Sequence, residues 1–138
     1  MENISVPTGE IIGIGKLKMS HLLYGNSVRF PEFSFVVAKS EDGNYTASCL
    51  NLCLDAISSQ HNEAVDRLVT TCNEFITTLF ALCPDTAWEQ LFELADSDDS
   101  EWWKAYRQFE ILLAKNGIDT HTEITGITYH YRQDGSYV

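Results

Sequence analysis

The chain has 138 residues, 44% hydrophobic and 12% aromatic, which suits a single packed domain over residues 1–138 and excludes wholesale disorder. Its 20 acids against 9 bases give a formal charge of -11, a surface that repels phosphate backbones and argues against nucleic-acid binding. No run reaches the roughly 18 apolar residues of a membrane span, and the opening MENISVPTGE has no basic or apolar targeting region, so no membrane partner is expected and a cytoplasmic location is.

In chain order, the segment EIIGIGKLKMSHLLYG alternates imperfectly, and Gly13, Gly15 and Gly25 suggest bends or bulges in strands. Phe33 to Lys39 is a β-branched and aromatic run, Asp42-Gly43 supplies a turn, and Asn44 to Leu50 resumes a strand, which predicts a hairpin. Asn51 to Ser58 reads as a third strand. From Gln60 the period changes. Ala64, Val65, Leu68, Val69, Cys72, Phe75, Ile76, Leu79 and Phe80 form one apolar stripe, predicting a long helix with Ser59 as N-cap and Pro84 closing it.

Residues 84–117 read as an acidic helical addition. A short helix carries Trp88, Leu91, Phe92 and Leu94; after the linker ADSDDSE, a second helix capped by Asp99 or Ser100 carries Trp102, Tyr106, Phe109 and Leu113 and ends at Asn116-Gly117. A terminal strand over 122–132 is expected to pair into the earlier sheet. The fold class is therefore α+β, an antiparallel sheet covered by a long helix, with two further helices and a last strand.

Chemistry-bearing residues form no known constellation. Cys49, Cys53 and His61 lie close in sequence, but C-x3-C with a lone histidine lacks the second ligand pair of a zinc site, and both cysteines read as core-facing strand positions. Cys72 and Cys83 sit in apolar runs as well, as free thiols used for packing. His21, His61, His121 and His130 stand in no motif that specifies a nucleophile. Gly13-Ile14-Gly15 lacks a third glycine and a following helix, so it is no phosphate cradle. The acid pairs Glu41-Asp42 and Asp98-Asp99 fall in a turn and a linker, where acids solvate and cap. No metal, cofactor or catalytic residue is expected. Trp102 and Trp103, adjacent on a helix, cannot face the same way, which makes one of them a candidate for an interface.

One resemblance narrows the reading. The run FSFVVAK, Glu41-Asp42-Gly43, Asn44-Tyr45-Thr46-Ala47, Leu50-Asn51-Leu52, Ala56-Ile57-Ser58-Ser59 and Glu63-Ala64, within 33–80, resembles the HicB-like antitoxin domain in order and spacing. The chain departs from that family where Leu50-Asn51-Leu52-Cys53-Leu54 stands for Pro-Asp-Leu-Pro-Gly, and where Gln60 replaces the usual Thr or Ser opening the helix. Family members often add a basic DNA-binding segment; here the C-terminal third is acidic, with Asp96, Asp98, Asp99 and Glu101. The resemblance also implies a ribonuclease-H-like arrangement, without strand carboxylates that could hold two metals.

What it implies for function is a non-enzymatic protein-binding module, its partner a small basic ribonuclease toxin of the HicA type. The residues expected at that interface are Glu41, Asp42, Tyr45, Trp102 and Trp103. A homo-oligomer is expected, and an alternative reading is a dimeric structural or assembly module of the same fold. A further alternative is a small hydrolase with a Cys/His pair formed only in three dimensions.

Overall fold

The structure is a computed structural model that describes residues 4–18, 20–23, 26–29, 32–95, 100–115, 121–124 and 127–131. Nine strands and three helices occur among them. They are β1 (Ser5–Val6), β2 (Gly9–Leu17), β3 (Ser20–Leu23), β4 (Asn26–Arg29), β5 (Phe33–Lys39), β6 (Tyr45–Cys49), β7 (Leu54–Ser58), α1 (His61–Leu82), α2 (Ala87–Ala95), α3 (Ser100–Lys115), β8 (His121–Ile124) and β9 (Ile127–Tyr131). The main sheet is antiparallel, in the order β7-β6-β5-β2-β9-β8, with β1 folded onto β2, while β3 and β4 form a separate hairpin. This is the α+β class that the alternation of patterns predicts.

β5 explains the layering. Its run FSFVVA does not alternate, and every one of those residues is buried. A strand buried on both faces needs cover above and below, and the helices supply it. α1 turns Ala64, Val65, Leu68, Cys72 and Ile76 onto one face, against Phe33, Phe35, Val37, Ala47 and Cys49, and Leu91 of α2 joins the same cluster. Each fully buried Val, Leu or Ile there contributes about 1.5–3 kcal/mol. α3 covers the opposite face with Ala105, Tyr106, Phe109, Leu112 and Leu113, against Ile4, Ile11, Ile14, Val36 and Leu50. The acidic helical addition is thus split between the two faces.

The hairpin turn is built as its composition predicts. Gly43 adopts φ +89, and Asp42 accepts hydrogen bonds from the Ser40 hydroxyl and from the Asn44 N–H at 3.0 Å. These hydrogen bonds, Ser40's first, hold the Asp42 carboxyl below its ordinary value.

Several expectations are corrected. The third strand begins at Leu54 rather than Asn51, because the chain turns first: Cys53 N–H bonds the Cys49 carbonyl at 3.0 Å, and Cys53 takes a left-handed φ of 55. Cys53 is therefore exposed in a turn instead of facing the core, whereas Cys49 and Cys72 are buried as expected. The N-cap of α1 is Gln60, not Ser59, and no side chain caps it. The residue that engages there is Ser58, whose hydroxyl accepts from the Gln60 N–H at 3.3 Å. The single terminal strand is two, β8 and β9, which pair antiparallel, and β9 is the strand that pairs with β2. A one-residue register shift lies between Ile11 and Gly13, as the bulge reading predicts for Gly13, whereas Gly15 keeps regular register opposite Phe35. Gly25, Asp96, Asp98, Asp99, Asn116 and Gly117 lie outside the described residues.

Candidate functional site

The residues expected at an interface do not converge. Glu41 and Asp42 are exposed at the turn joining β5 to β6. Tyr45, one strand position on, is only 7% exposed; its ring meets His61 edge-on at 5.7 Å and takes Lys39 Nζ at the same distance. Its side chain therefore belongs to the core. Trp102 and Trp103 are half-buried against the α3 cluster, with the Trp103 ring 5.7 Å from that of Tyr106 and tilted 60° to it, and the Arg107 guanidinium 6.0 Å above the Trp103 ring. Trp102 stands near Cys49 and Leu50, at the far end of β6 from Asp42, roughly 13 Å of strand away.

The cysteine–histidine set is separated in the same way. Cys49 hydrogen-bonds Cys72 inside the core, and that bond, with burial, pushes the Cys72 thiol up. His61 lies toward the Tyr45 end, its ring 5.9 Å from that of Tyr129 and its Nδ1 3.4 Å from the Tyr129 hydroxyl. Among the described residues, no group of three or more His, Cys, Asp or Glu could hold a metal ion.

The α3 face of the sheet carries a polar stripe that the strand pattern alone did not single out. Lys16 Nζ donates to Ser34 Oγ at 3.2 Å and lies 5.7 Å from the centre of the Tyr106 ring, and burial pushes the Tyr106 phenol up to about 12. Beneath Ser34, Asn51 is a buried clasp. Its Oδ1 accepts from the Ser34 N–H at 2.8 Å and its Nδ2 donates to the Leu94 carbonyl at 3.0 Å, tying the β6–β7 turn to the end of α2.

Farther along that face, a groove of about 220 Å³ opens between β6, β7 and the first turn of α3, lined by Ser48, Cys49, Leu50, Cys53, Asp55 and Trp102. Ser48 and Asp55 are register partners across β6 and β7, so both project on one face. Asp55 is exposed at the rim, while Ser48 is 3% exposed and its Oγ has no hydrogen-bond partner. An indole, a carboxylate and an unpaired hydroxyl stand together there. The signal that could have found them is the alternation of TASC and LDAIS: both strands show apolar side chains to α1 and keep Ser48 and Asp55 for the other face.

No helix among the described residues is long and apolar enough to cross a membrane. No protein-family model, curated protein or solved structure matches the chain.

Proposed function

We propose that this chain is a non-enzymatic protein-binding module whose acidic surface docks a small basic protein. One observation carries the reading. The unit β5–β6–β7–α1 bears the acids Glu41, Asp42, Asp55, Glu63, Asp66 and Glu74 against the bases Lys39 and Arg67, up to Phe80. Both bases are already engaged, Lys39 over the Tyr45 ring and Arg67 with Glu63 Oε1 at 2.6 Å and the Ile57 carbonyl at 2.7 Å. The field at that surface is therefore anionic, and such a field speeds encounter with cationic partners and selects against acidic ones. The resemblance of residues 33–80 to HicB-like antitoxin domains makes a HicA-type ribonuclease toxin the partner class to test first.

The test is co-expression with any small basic reading frame encoded beside this one. The expected results are relief of its toxicity and a copurifying complex that loosens steeply as salt is raised. Absence of any basic protein retained at low salt, or retention that is indifferent to salt, refutes the reading.

A second reading, self-assembly, has support in β7, which among the described residues pairs only with β6 and exposes Ile57 at 57%. A second copy pairing there would have to displace Arg67 from the Ile57 carbonyl. Light scattering separates the two: a concentration-independent monomer removes the assembly reading and leaves the first intact.

A further inference from the structure

The groove on the α3 face has a chemistry more specific than its charge. Ser48 and Asp55 face each other across β6 and β7, with Cβ atoms about 5 Å apart. Trp102 closes one side, and Leu50 and Cys53 complete the walls. At the floor, the Ser48 hydroxyl is buried without a hydrogen-bond partner, an arrangement that costs free energy unless something enters to satisfy it.

We infer that this groove receives an arginine side chain presented by the partner polypeptide, its guanidinium lying on the Trp102 indole and donating to the Asp55 carboxylate and the Ser48 hydroxyl. The inference rests on the protein-binding reading and names the residue the partner must carry. Four features select arginine. Among the described residues of the lining the one charge is the Asp55 carboxylate, and the chain as a whole is strongly anionic, at -11, so a cation is drawn and an anion repelled. A guanidinium is flat and stacks on an aromatic face while its edge donates in several directions, which a lysine ammonium cannot do. Both polar groups of the lining, a carboxylate and a hydroxyl, can accept. The apolar wall of Leu50 suits the methylene stem behind the charge. The molecule already uses this pairing once, where Arg107 lies over Trp103 at 6.0 Å.

The experiment titrates the full chain with a capped Gly-Arg-Gly peptide, with the same peptide carrying citrulline or lysine, and with agmatine. Tryptophan fluorescence and amide chemical shifts around 48–55 report binding. The arginine peptide is expected to saturate, with the citrulline and lysine peptides weaker by about tenfold or more, since each lacks the charge or the fork. Asp55→Asn, a change at an exposed position that circular dichroism can show to be folded, is expected to weaken the arginine peptide by a similar factor. Trp102→Leu removes the stacking face and is expected to act in the same direction. Equal binding of the arginine and citrulline peptides overturns the inference, as does unchanged affinity in Asp55→Asn. Binding of agmatine without binding of the peptide also overturns it, because the groove would then take a free small amine rather than a polypeptide side chain. If no arginine probe binds while a basic protein is still retained in a salt-sensitive complex, the groove assignment falls and the protein-binding module stands.

Discussion

Substituting Gly13 with alanine tests how the two halves of the sheet are joined. Gly13 lies on β2, and the Tyr129 ring, from β9, leans across it: a Cβ at position 13 would stand 2.7 Å from the Tyr129 hydroxyl oxygen and 2.9 Å from Cζ. Tyr129 is fully buried, with ring centroids of Phe35 at 5.7 Å and His61 at 5.9 Å, so the ring has nowhere to retreat without moving core neighbours. Overpacking of this kind costs about 1–3 kcal/mol, which for a chain of this length lowers Tm by roughly 3–10 °C. Thermal and urea unfolding read the cost. A second background sharpens the test. Tyr129→Leu lacks the ring atoms that meet the new Cβ, and there Gly13→Ala is expected to be neutral or to stabilise by up to about 1 kcal/mol, since glycine inside a strand is itself unfavourable. A Gly13→Ala protein as stable as the parent, or one that loses equal stability in both backgrounds, refutes the claim that Tyr129 is what glycine at 13 accommodates.

Asn51→Ala leaves the Ser34 N–H and the Leu94 carbonyl without their clasp, and a loss of about 2–4 kcal/mol is expected in urea unfolding; Asn51→Asp keeps the acceptor for Ser34 but sets a buried carboxylate against the Leu94 carbonyl, so at neutral pH it should lose at least as much. Asp42 should titrate below 3.8 in a carboxyl NMR titration; because folding lowers its pKa, the stability it contributes is present above that ordinary value and disappears as pH falls through the lowered one. Tyr106 carries the opposite sign: with its folded pKa raised from 10.0 to about 12, its contribution is intact below pH 10 and is lost as pH climbs toward 12, and Tyr106→Phe should remove a late-titrating component of the phenolate absorbance. In native protein a thiol reagent should label exposed Cys53 first, with Cys49 and Cys72 reacting only on unfolding; rapid labelling of Cys72 would contradict its place in the core.

The elements legible in the sequence are those fixed by local rules. The hairpin around Asp42-Gly43 follows from turn chemistry, and the stripe from Ala64 to Phe80 follows from helical period, because each rule acts within a few residues. What could not be read depends on long-range placement. Trp102 and Trp103 announce a helix with something beneath it, but nothing local says that α3 crosses to the face opposite α1. The β7 boundary escaped for a related reason: Asn51 to Cys53 look like strand until Asn51 is seen to be spent on Ser34 and Leu94 and Cys53 on a left-handed turn. Ser48 and Asp55 were legible as strand positions and illegible as a pair, since their juxtaposition is a matter of register between β6 and β7.

The two faces of the sheet consequently divide the work of the molecule. Under α1 the cover is continuous, running from Leu17 and Phe33 through Leu68 to Leu91, and the polar groups there are few and partnered, as with His61 against the Tyr129 hydroxyl. Under α3 the cover is partial. That helix packs on β1 and β2 and meets the far strands through Trp102 alone among the groove residues, so the same face that is sealed at Ile11 and Phe109 ends in an open groove at Ser48 and Asp55. That margin holds the buried Ser48 hydroxyl without a hydrogen-bond partner, a cost the α1 side does not show at His61 and Tyr129. The position of the groove follows from a helix too displaced to cover β6 and β7, and that displacement leaves the Trp102 indole and the Asp55 carboxylate lining one groove above the buried Ser48 hydroxyl.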